Sequence, residues 1–245
     1  VLGALLTKYK IAKVSLPGGC AIGSRPIDLH LEALKKMGAK IKIKDGYIHA
    51  SAKKGLKGSV IKFPKISVGA TENILIAACF AKGETKLRNC AIEPEVEDLI
   101  FFLKKIGCKI NRTGKRSINV LGIKNFKSAT HKVIFDRIEA GTYIIAAALT
   151  KGRLKIKNIN PKIILNEIKL LNRMGVNILK KKNHIIVNRL QKLKNINIRT
   201  EPYPGFPTDL QAQMMILMTK ANGISTIQEN IFENRFMHVS ELNRM

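Results

Sequence analysis

The chain lacks the features that mark disulfide-stapled, zinc-binding or membrane-spanning proteins. Its 245 residues include no tryptophan and only four cysteines, at positions 20, 79, 90 and 108. None of the cysteines forms a CxxC pair or joins histidines at metal-ligand spacing, which disfavours a disulfide scaffold and a zinc site. The apolar runs 74–81 and 143–149 are far shorter than the ~18–20 residues that cross a bilayer, so we expect buried helices there. The pattern predicts a cytoplasmic protein with no metal and no membrane partner.

Acidic residues are also scarce, because 17 Asp and Glu stand against 44 Lys and Arg, giving a net charge of +27. Such a charge raises nucleic-acid binding as a hypothesis. However, aromatic residues, at 5%, are too few for stacking platforms, and no zinc-finger, RNA-recognition or helix-turn-helix signature is present. Isoleucine, lysine and asparagine have AT-rich codons, so a biased genome accounts for the charge better than a specific nucleic-acid partner does. A basic nucleic-acid binder stays open as an alternative.

A glycine-rich loop that contains a cysteine is the segment most suggestive of chemistry. Residues 15–26 read SLPGGCAIGSRP, with Cys20 five residues before Arg25, and an amphipathic helix is predicted to begin at Asp28. Glycines let a backbone approach a ligand closely, a helix N-terminus favours an anion, and a nearby arginine favours a thiolate. The loop therefore indicates a reactive cysteine beside an anionic substrate, with an unreactive surface turn as the equally weighted alternative.

The chain also repeats itself. Residues 69–89, 141–158 and 207–229 each contain an apolar helix, a glycine stop and a short strand, and a second helix is expected after each strand. The glycines of the motifs at 34–39, 103–108 and 171–176 are predicted to end the second helix of each unit. Antiparallel strands are expected after these glycines, with a hairpin turn at Asp45-Gly46. The repeats predict an α/β (α+β) fold of βαβαββ-like units.

The two ends of the chain suggest a longer parent. Residues 242–245 match 171–174, and the chain stops where the capping glycine is expected; it also begins at Val1 rather than at a methionine. We therefore expect an internal fragment that lacks both termini, with a natural, frayed helix end as the alternative. The stretch 129–135 is predicted to begin a new strand between two repeat units, which places a domain boundary near residue 134.

The chain resembles the UDP-N-acetylglucosamine 1-carboxyvinyltransferases, the enolpyruvyl transferases of peptidoglycan synthesis, over essentially its whole length. The resemblance rests on five motifs in the same order: SLPGGCAIGSRPIDL at 15–29, KISVGAT at 65–71, DRIEAGT at 136–142, FPTDLQAQ at 206–213 and FENRFMH at 232–238. The related 5-enolpyruvylshikimate-3-phosphate synthases share the fold but lack the PGGCAIGSRP loop, so an enzyme of that kind is the distant runner-up.

The resemblance implies two domains, each an inside-out α/β barrel of repeated units. Residues 1–134 would carry the cysteine loop and part of the UDP-sugar site, and residues 135–245 would carry the catalytic aspartate in an incomplete second barrel. The implied reaction moves the enolpyruvyl group of phosphoenolpyruvate onto the 3′-hydroxyl of UDP-N-acetylglucosamine and releases phosphate. No cofactor is implied, and we expect a monomer whose partners are these two substrates.

The resemblance also implies roles for individual residues. Cys20 would donate a proton to phosphoenolpyruvate and be the target of fosfomycin, and Asp209 would be the base at the sugar hydroxyl, for which helix capping is the structural alternative. The residues that would bind substrate are Arg25, Pro26, Ile27, Asp28, Leu29, Lys65, Ile66, Ser67, Val68, Gly69 and Ile231, with Phe232 and Arg235 as further candidates. A structural role is expected for Asp136, Arg137 and Glu139, and similarly for Glu93 and Glu95. A non-catalytic homologue that only binds UDP-sugar is a further alternative.

Overall fold

The computed structural model describes residues 1–17 and 27–245. Within this part the chain forms two compact units, one of residues 1–17 and 27–133 and one of residues 134–245. Each unit has its own apolar core. Both units combine helices with parallel and antiparallel strand pairs, which confirms the predicted α/β (α+β) class. Among the described residues, no helix has the length and apolar character that crossing a membrane would require.

The first unit contains helices α1 to α4 and strands β1 to β7. In chain order these are α1 Leu2–Tyr9, β1 Ile11–Ser15, α2 Asp28–Lys36, β2 Lys40–Lys44, β3 Tyr47–Ser51, β4 Val60–Lys62, α3 Val68–Cys79, β5 Glu84–Arg88, α4 Pro94–Lys105, β6 Lys109–Gly114 and β7 Ser117–Leu121. One antiparallel sheet has the order β1-β3-β2, and a mixed sheet has the order β4-β5-β7-β6, in which β4 and β5 run parallel.

Helix α3 forms the centre of this unit. It is apolar on nearly all sides, and α1, α2 and α4 pack against it. Ile74 and Leu75 have no solvent-exposed surface. Because a helix that is apolar all round must be enclosed by other elements, the predicted buried helix is confirmed here.

Glycines end the helices where the sequence predicts. Gly38, Gly107 and Gly175 follow α2, α4 and the later helix α6 with φ of +94°, +109° and +96°. L-residues with a Cβ rarely adopt this conformation, so glycine is favoured at these helix ends. The Asp45-Gly46 turn likewise joins β2 to β3, with positive φ at both residues, which confirms the predicted hairpin.

The second unit contains four helices and seven strands among the described residues. They are α5 Arg137–Leu149, β8 Arg153–Lys157, α6 Leu165–Arg173, β9 Asn177–Lys180, β10 His184–Asn188, β11 Leu193–Lys194, β12 Asn197–Arg199, α7 Gln211–Met218, β13 Ala221–Asn222, β14 Thr226–Gln228 and α8 His238–Leu242, with 3₁₀ turns at Pro161–Ile164 and Thr208–Leu210. The antiparallel sheet has the order β8-β10-β9, and β11 pairs with β13 and β12 with β14 in parallel.

Residues 129–135 form no strand, so the predicted strand there is wrong. Instead, side chains of α4 contact two residues of this segment, Thr130 and His131. Lys105 Nζ donates to the carbonyl of Thr130 at 3.0 Å, and His131 Nε2 lies 3.0 Å from Asp98 Oδ2. Alternating residues make a strand only where a free strand edge offers a backbone partner, and this segment pairs with no strand in the described part of the chain.

Candidate functional site

The first predicted binding segment forms the start of α2. The carbonyl of Ile27 accepts hydrogen bonds from the amides of His30 and Leu31, both at 3.0 Å. The Ile27 and Leu29 side chains pack into the core, whereas Asp28 is exposed in the first turn. Of these three residues, only Asp28 is exposed.

The second predicted segment, residues 65–69, forms the start of α3. Ser67 is the N-cap residue, and its Oγ accepts a hydrogen bond from the amide of Ala70 at 3.2 Å. Lys65 and Gly69 are exposed, while Ile66 and Val68 pack against the core. The first backbone amides of a helix have no partner within the helix. This turn therefore offers backbone N–H donors close to the exposed Lys65.

The structure brings these two segments together. A Cβ at Gly69 would lie 3.6 Å from Cε1 of His30, so the first turns of α2 and α3 are neighbours. Burial lowers the pKa of His30, and the nearby Asp28 carboxylate opposes this shift. The imidazole is therefore held toward its neutral form beside two helix N-termini, whose partial positive charges suit an anionic group.

Asp209 lies in the 3₁₀ turn that precedes α7, and it does not cap a helix. Its Oδ1 accepts a hydrogen bond from Nη2 of Arg235 at 2.9 Å, and neither the turn nor α7 has a side-chain cap. The Arg235 guanidinium lies over the ring of Phe232, 5.5 Å from its centre. The arginine side chain is 16% exposed and that of the aspartate is 57% exposed. The pair therefore has an enclosed cation and an accessible carboxylate, and the capping interpretation is wrong.

Glu229 connects the two turns of this region, and sequence reasoning missed it. Its Oε1 accepts from the amides of Ile231 (2.8 Å) and Phe232 (3.1 Å), and its Oε2 accepts from the hydroxyl of Thr208 (3.0 Å). Thr208 is the neighbour of Asp209 in sequence. The signal that could have revealed Glu229 is its place in the repeat, where the other two units have asparagine.

The residues expected to be structural make local contacts. Asp136 caps α5 by accepting from the amides of Ile138 and Glu139 at 2.7 and 3.1 Å. Arg137 lies 3.9 Å from the Glu167 carboxylate, and both side chains are nearly buried. Asp136 and Arg137 therefore make structural contacts at the start of α5.

In the first unit, the acidic residues near the starts of α3 and α4 also lie close together. Glu93 is buried and accepts from the amide of Ile92 at 2.9 Å. Burial raises the pKa of Glu72, and the nearby charges of Glu95 and Glu93 raise it further. The cluster therefore makes Glu72 a weaker acid than a solvent-exposed glutamate.

Three of the four cysteines are buried, and the pKa is raised at two of them, Cys79 and Cys90. Burial raises the pKa of Cys90 to about 11, although nearby arginines oppose the shift. A hydrogen bond with Cys108 raises the pKa of Cys79 well above its usual range. Cys20, Arg25 and Pro26 lie outside the described residues. Among the residues that are described, no three His, Cys, Asp or Glu side chains gather as a metal site would need.

Comparison of the sequence with known proteins identifies its family. The family described as EPSP synthase (3-phosphoshikimate 1-carboxyvinyltransferase) matches residues 1–245. The chain belongs to this family. Within the family, UDP-N-acetylglucosamine 1-carboxyvinyltransferases from Pelagibacter ubique (strain HTCC1062), Endomicrobium trichonymphae and Rickettsia prowazekii (strain Madrid E) are 63%, 52% and 54% identical to it. Each alignment covers 100% of this chain, which spans 59%, 58% and 58% of those relatives.

Solved structures of family members have the same fold. The enolpyruvyl transferase NikO from Streptomyces tendae superposes with a TM-score of 0.85 at 23% identity, over 99% of this chain and 58% of that one. EPSP synthase from Acinetobacter baumannii gives a TM-score of 0.60 at 20% identity, over 92% of this chain and 53% of that one. At these identities the likeness concerns the fold alone.

Proposed function

We propose that the protein to which this chain belongs transfers the enolpyruvyl group of phosphoenolpyruvate to the 3′-hydroxyl of UDP-N-acetylglucosamine and releases phosphate. One observation carries the proposal: relatives with that activity in their name are 52–63% identical over essentially all of this chain. The reaction is the first committed step of peptidoglycan synthesis, so the site of action would be the cytoplasm. The segment PGGCAIGSRP at residues 17–26, which 5-enolpyruvylshikimate-3-phosphate synthases lack, disfavours a shikimate-phosphate substrate.

The proposed architecture is a pair of inside-out barrels made of repeated units. It is supported by one strand arrangement that occurs three times. In the sheets β1-β3-β2, β5-β7-β6 and β8-β10-β9, a hairpin's second strand lies between its first strand and an earlier strand. A helix that ends at a glycine with positive φ precedes each hairpin. In each compact unit the helices and sheets pack around one apolar core, as layered α/β architectures do.

The chemistry needs one group that delivers a proton to the methylene carbon of phosphoenolpyruvate and another that removes the proton of the sugar hydroxyl. We assign the first role to Cys20 and the second to Asp209. The hydroxyl oxygen would then attack the central carbon, giving a tetrahedral intermediate that carries a methyl group. Loss of phosphate together with one proton of that methyl group would form the enol ether of the product. The geometry of Asp209 supports its role: Oδ1 is bound by Arg235, and Oδ2 makes no hydrogen bond within the described residues, so it is available to a hydroxyl.

We infer substrate-binding roles for the candidate residues of each unit. The amides at the start of α3, with Ser67 and the exposed Lys65, would receive the diphosphate, because helix N-termini bind phosphate groups well. Arg25 to Leu29 would receive the uridine side of the nucleotide. Ile231, with Phe232 and Arg235 as further contacts, would line the sugar near Asp209.

Phosphate release from the natural full-length protein tests the proposal. We expect release that requires both phosphoenolpyruvate and UDP-N-acetylglucosamine, and Cys20→Ala should reduce its rate by about a hundredfold or more, as removal of a general acid does. Cys90→Ala is the matched control, because it deletes a buried thiol. Fosfomycin should alkylate Cys20.

Other outcomes would contradict the transferase assignment. Binding of UDP-N-acetylglucosamine without phosphate release would indicate a non-catalytic homologue. Strongly salt-dependent binding to arbitrary duplexes, without competition by the UDP-sugar, would indicate a nucleic-acid binder instead.

A further inference from the structure

Two turns meet beside Asp209, and side chains join them at two points. The first turn contains Thr208 and Asp209, and the second begins at Ile231 and continues to Arg235. The Asp209–Arg235 ion pair is one link, with a hydrogen bond of 2.9 Å. The Glu229 carboxylate makes the other link, because one of its oxygens binds Thr208 and the other binds the amides that open the second turn.

Glu229 replaces the asparagine that the other two repeat units have at this position, and the replacement suits a residue that links two turns. The corresponding residues of the other units are Asn89 and Asn158, both in the left-handed backbone conformation with φ of 58° and 60°. The Asn89 amide donates to the carbonyl of Phe63 at 2.9 Å. A carboxylate accepts hydrogen bonds at both oxygens. Glu229 therefore accepts three hydrogen bonds here, whereas the side-chain nitrogen of an asparagine would be a donor.

We propose that Glu229 is a positioning residue that fixes the turn of Asp209 against the turn of Arg235. This inference rests on the proposed function. Asp209 is exposed and sits in a short 3₁₀ turn, so its direction depends on what holds its neighbours. Without Glu229 the ion pair would be the remaining side-chain link described between the two turns, and Arg235 would itself lie on a loosened segment. A displacement of about 1 Å at a reacting group costs about a hundredfold in rate.

The experiment compares Glu229→Ala, Glu229→Gln and Glu241→Ala in the natural full-length protein. Glu241 is an exposed residue of α8 that pairs with Arg244, so its loss matches the charge change of the first variant. We expect Glu229→Ala to lower kcat by about tenfold to a hundredfold with a smaller change in KM, because the base is misdirected rather than substrate binding lost. Glutamine keeps one acceptor oxygen and can donate to Thr208, so Glu229→Gln should restore most of kcat.

A second substitution keeps the test decisive if Glu229→Ala folds poorly. Thr208→Val removes the same link from its other end, whereas Thr208→Ser retains the hydroxyl. We expect the valine variant to lower kcat and the serine variant to preserve it. Amide hydrogen exchange at Ile231 and Phe232 should accelerate in Glu229→Ala and not in Glu241→Ala.

The outcomes separate the two proposals. If the wild-type protein turns over both substrates while Glu229→Ala and Thr208→Val match Glu241→Ala in kcat, the positioning role is overturned and the transferase proposal stands. If the wild-type protein releases no phosphate, the transferase proposal fails and takes the positioning role with it. A fall in kcat in both Glu229→Ala and Thr208→Val, with recovery in Glu229→Gln and Thr208→Ser, supports both.

Discussion

In the first unit the described candidate residues stand at the starts of two helices, whereas in the second they stand in irregular turns joined by side chains. Most side chains of residues 27–29 and 66–68 pack inward or cap a helix, which leaves backbone amides to face a ligand. Around Asp209 the chemistry depends on side-chain carboxylates, a guanidinium and a hydroxyl. The first region should therefore tolerate side-chain changes that the second does not.

The largest expected effect lies in the second region. Asp209→Asn keeps the size of the side chain but removes its ability to accept a proton, so kcat should fall by about 10²–10⁴-fold, the usual contribution of a general base. Binding of UDP-N-acetylglucosamine, measured by calorimetry, should persist. Asp45→Asn is the control, because it makes the same change in an exposed hairpin turn of the first unit. If Asp209→Asn retained its turnover, the second region would not depend on this side chain for its chemistry.

The first region offers the opposite expectation. Ser67→Ala removes the cap of α3, which should lower the free energy of unfolding by about 0.5–2 kcal/mol. Ser67→Gly should lower it by only about a few tenths of a kcal/mol, because glycine is a tolerated N-cap residue. Urea unfolding measures both. If backbone amides bind the diphosphate, kcat should stay within about tenfold of wild type, a small change beside that of a lost general base. A collapse of turnover as large as that of Asp209→Asn would show that the Ser67 hydroxyl itself is needed.

The same difference explains how much could be predicted from the sequence. Gly38, Gly107 and Gly175 could be placed because a left-handed helix end has a local requirement for glycine. The pairing of Asp209 with Arg235 spans 26 residues, and local pattern holds no information about it. Glu229 was missed for the same reason, although its departure from the repeat was visible in the sequence.

Segments held by distant side chains are the hardest to predict. Residues 129–135 are predicted to begin a strand, yet they form none, and Asp98 and Lys105 of α4 contact His131 and Thr130 instead. The family motifs supplied candidate residues for the site, including Asp209 and the 65–69 turn. They did not indicate that the helix starts containing His30 and Gly69 are neighbours, because that contact depends on how α2 packs against α3.

The smallest expected effect concerns His30, which marks where the two helix starts meet. Burial lowers its pKa in the folded protein, and Asp28 opposes this shift only in part. Below the unfolded reference value of about 6.5, the unfolded chain therefore binds more protons at His30 than the folded chain does. The contribution of His30 to the free energy of unfolding is constant above that pH and falls as the pH drops below it. His30→Gln should reduce this loss between pH 7.5 and about 5.5 in urea unfolding, and His49→Gln, on the exposed face of β3, is the control. If the dependence of the unfolding free energy on pH were unchanged in His30→Gln, the first turns of α2 and α3 would not enclose this imidazole. The argument that these two helix starts are neighbours would then fail.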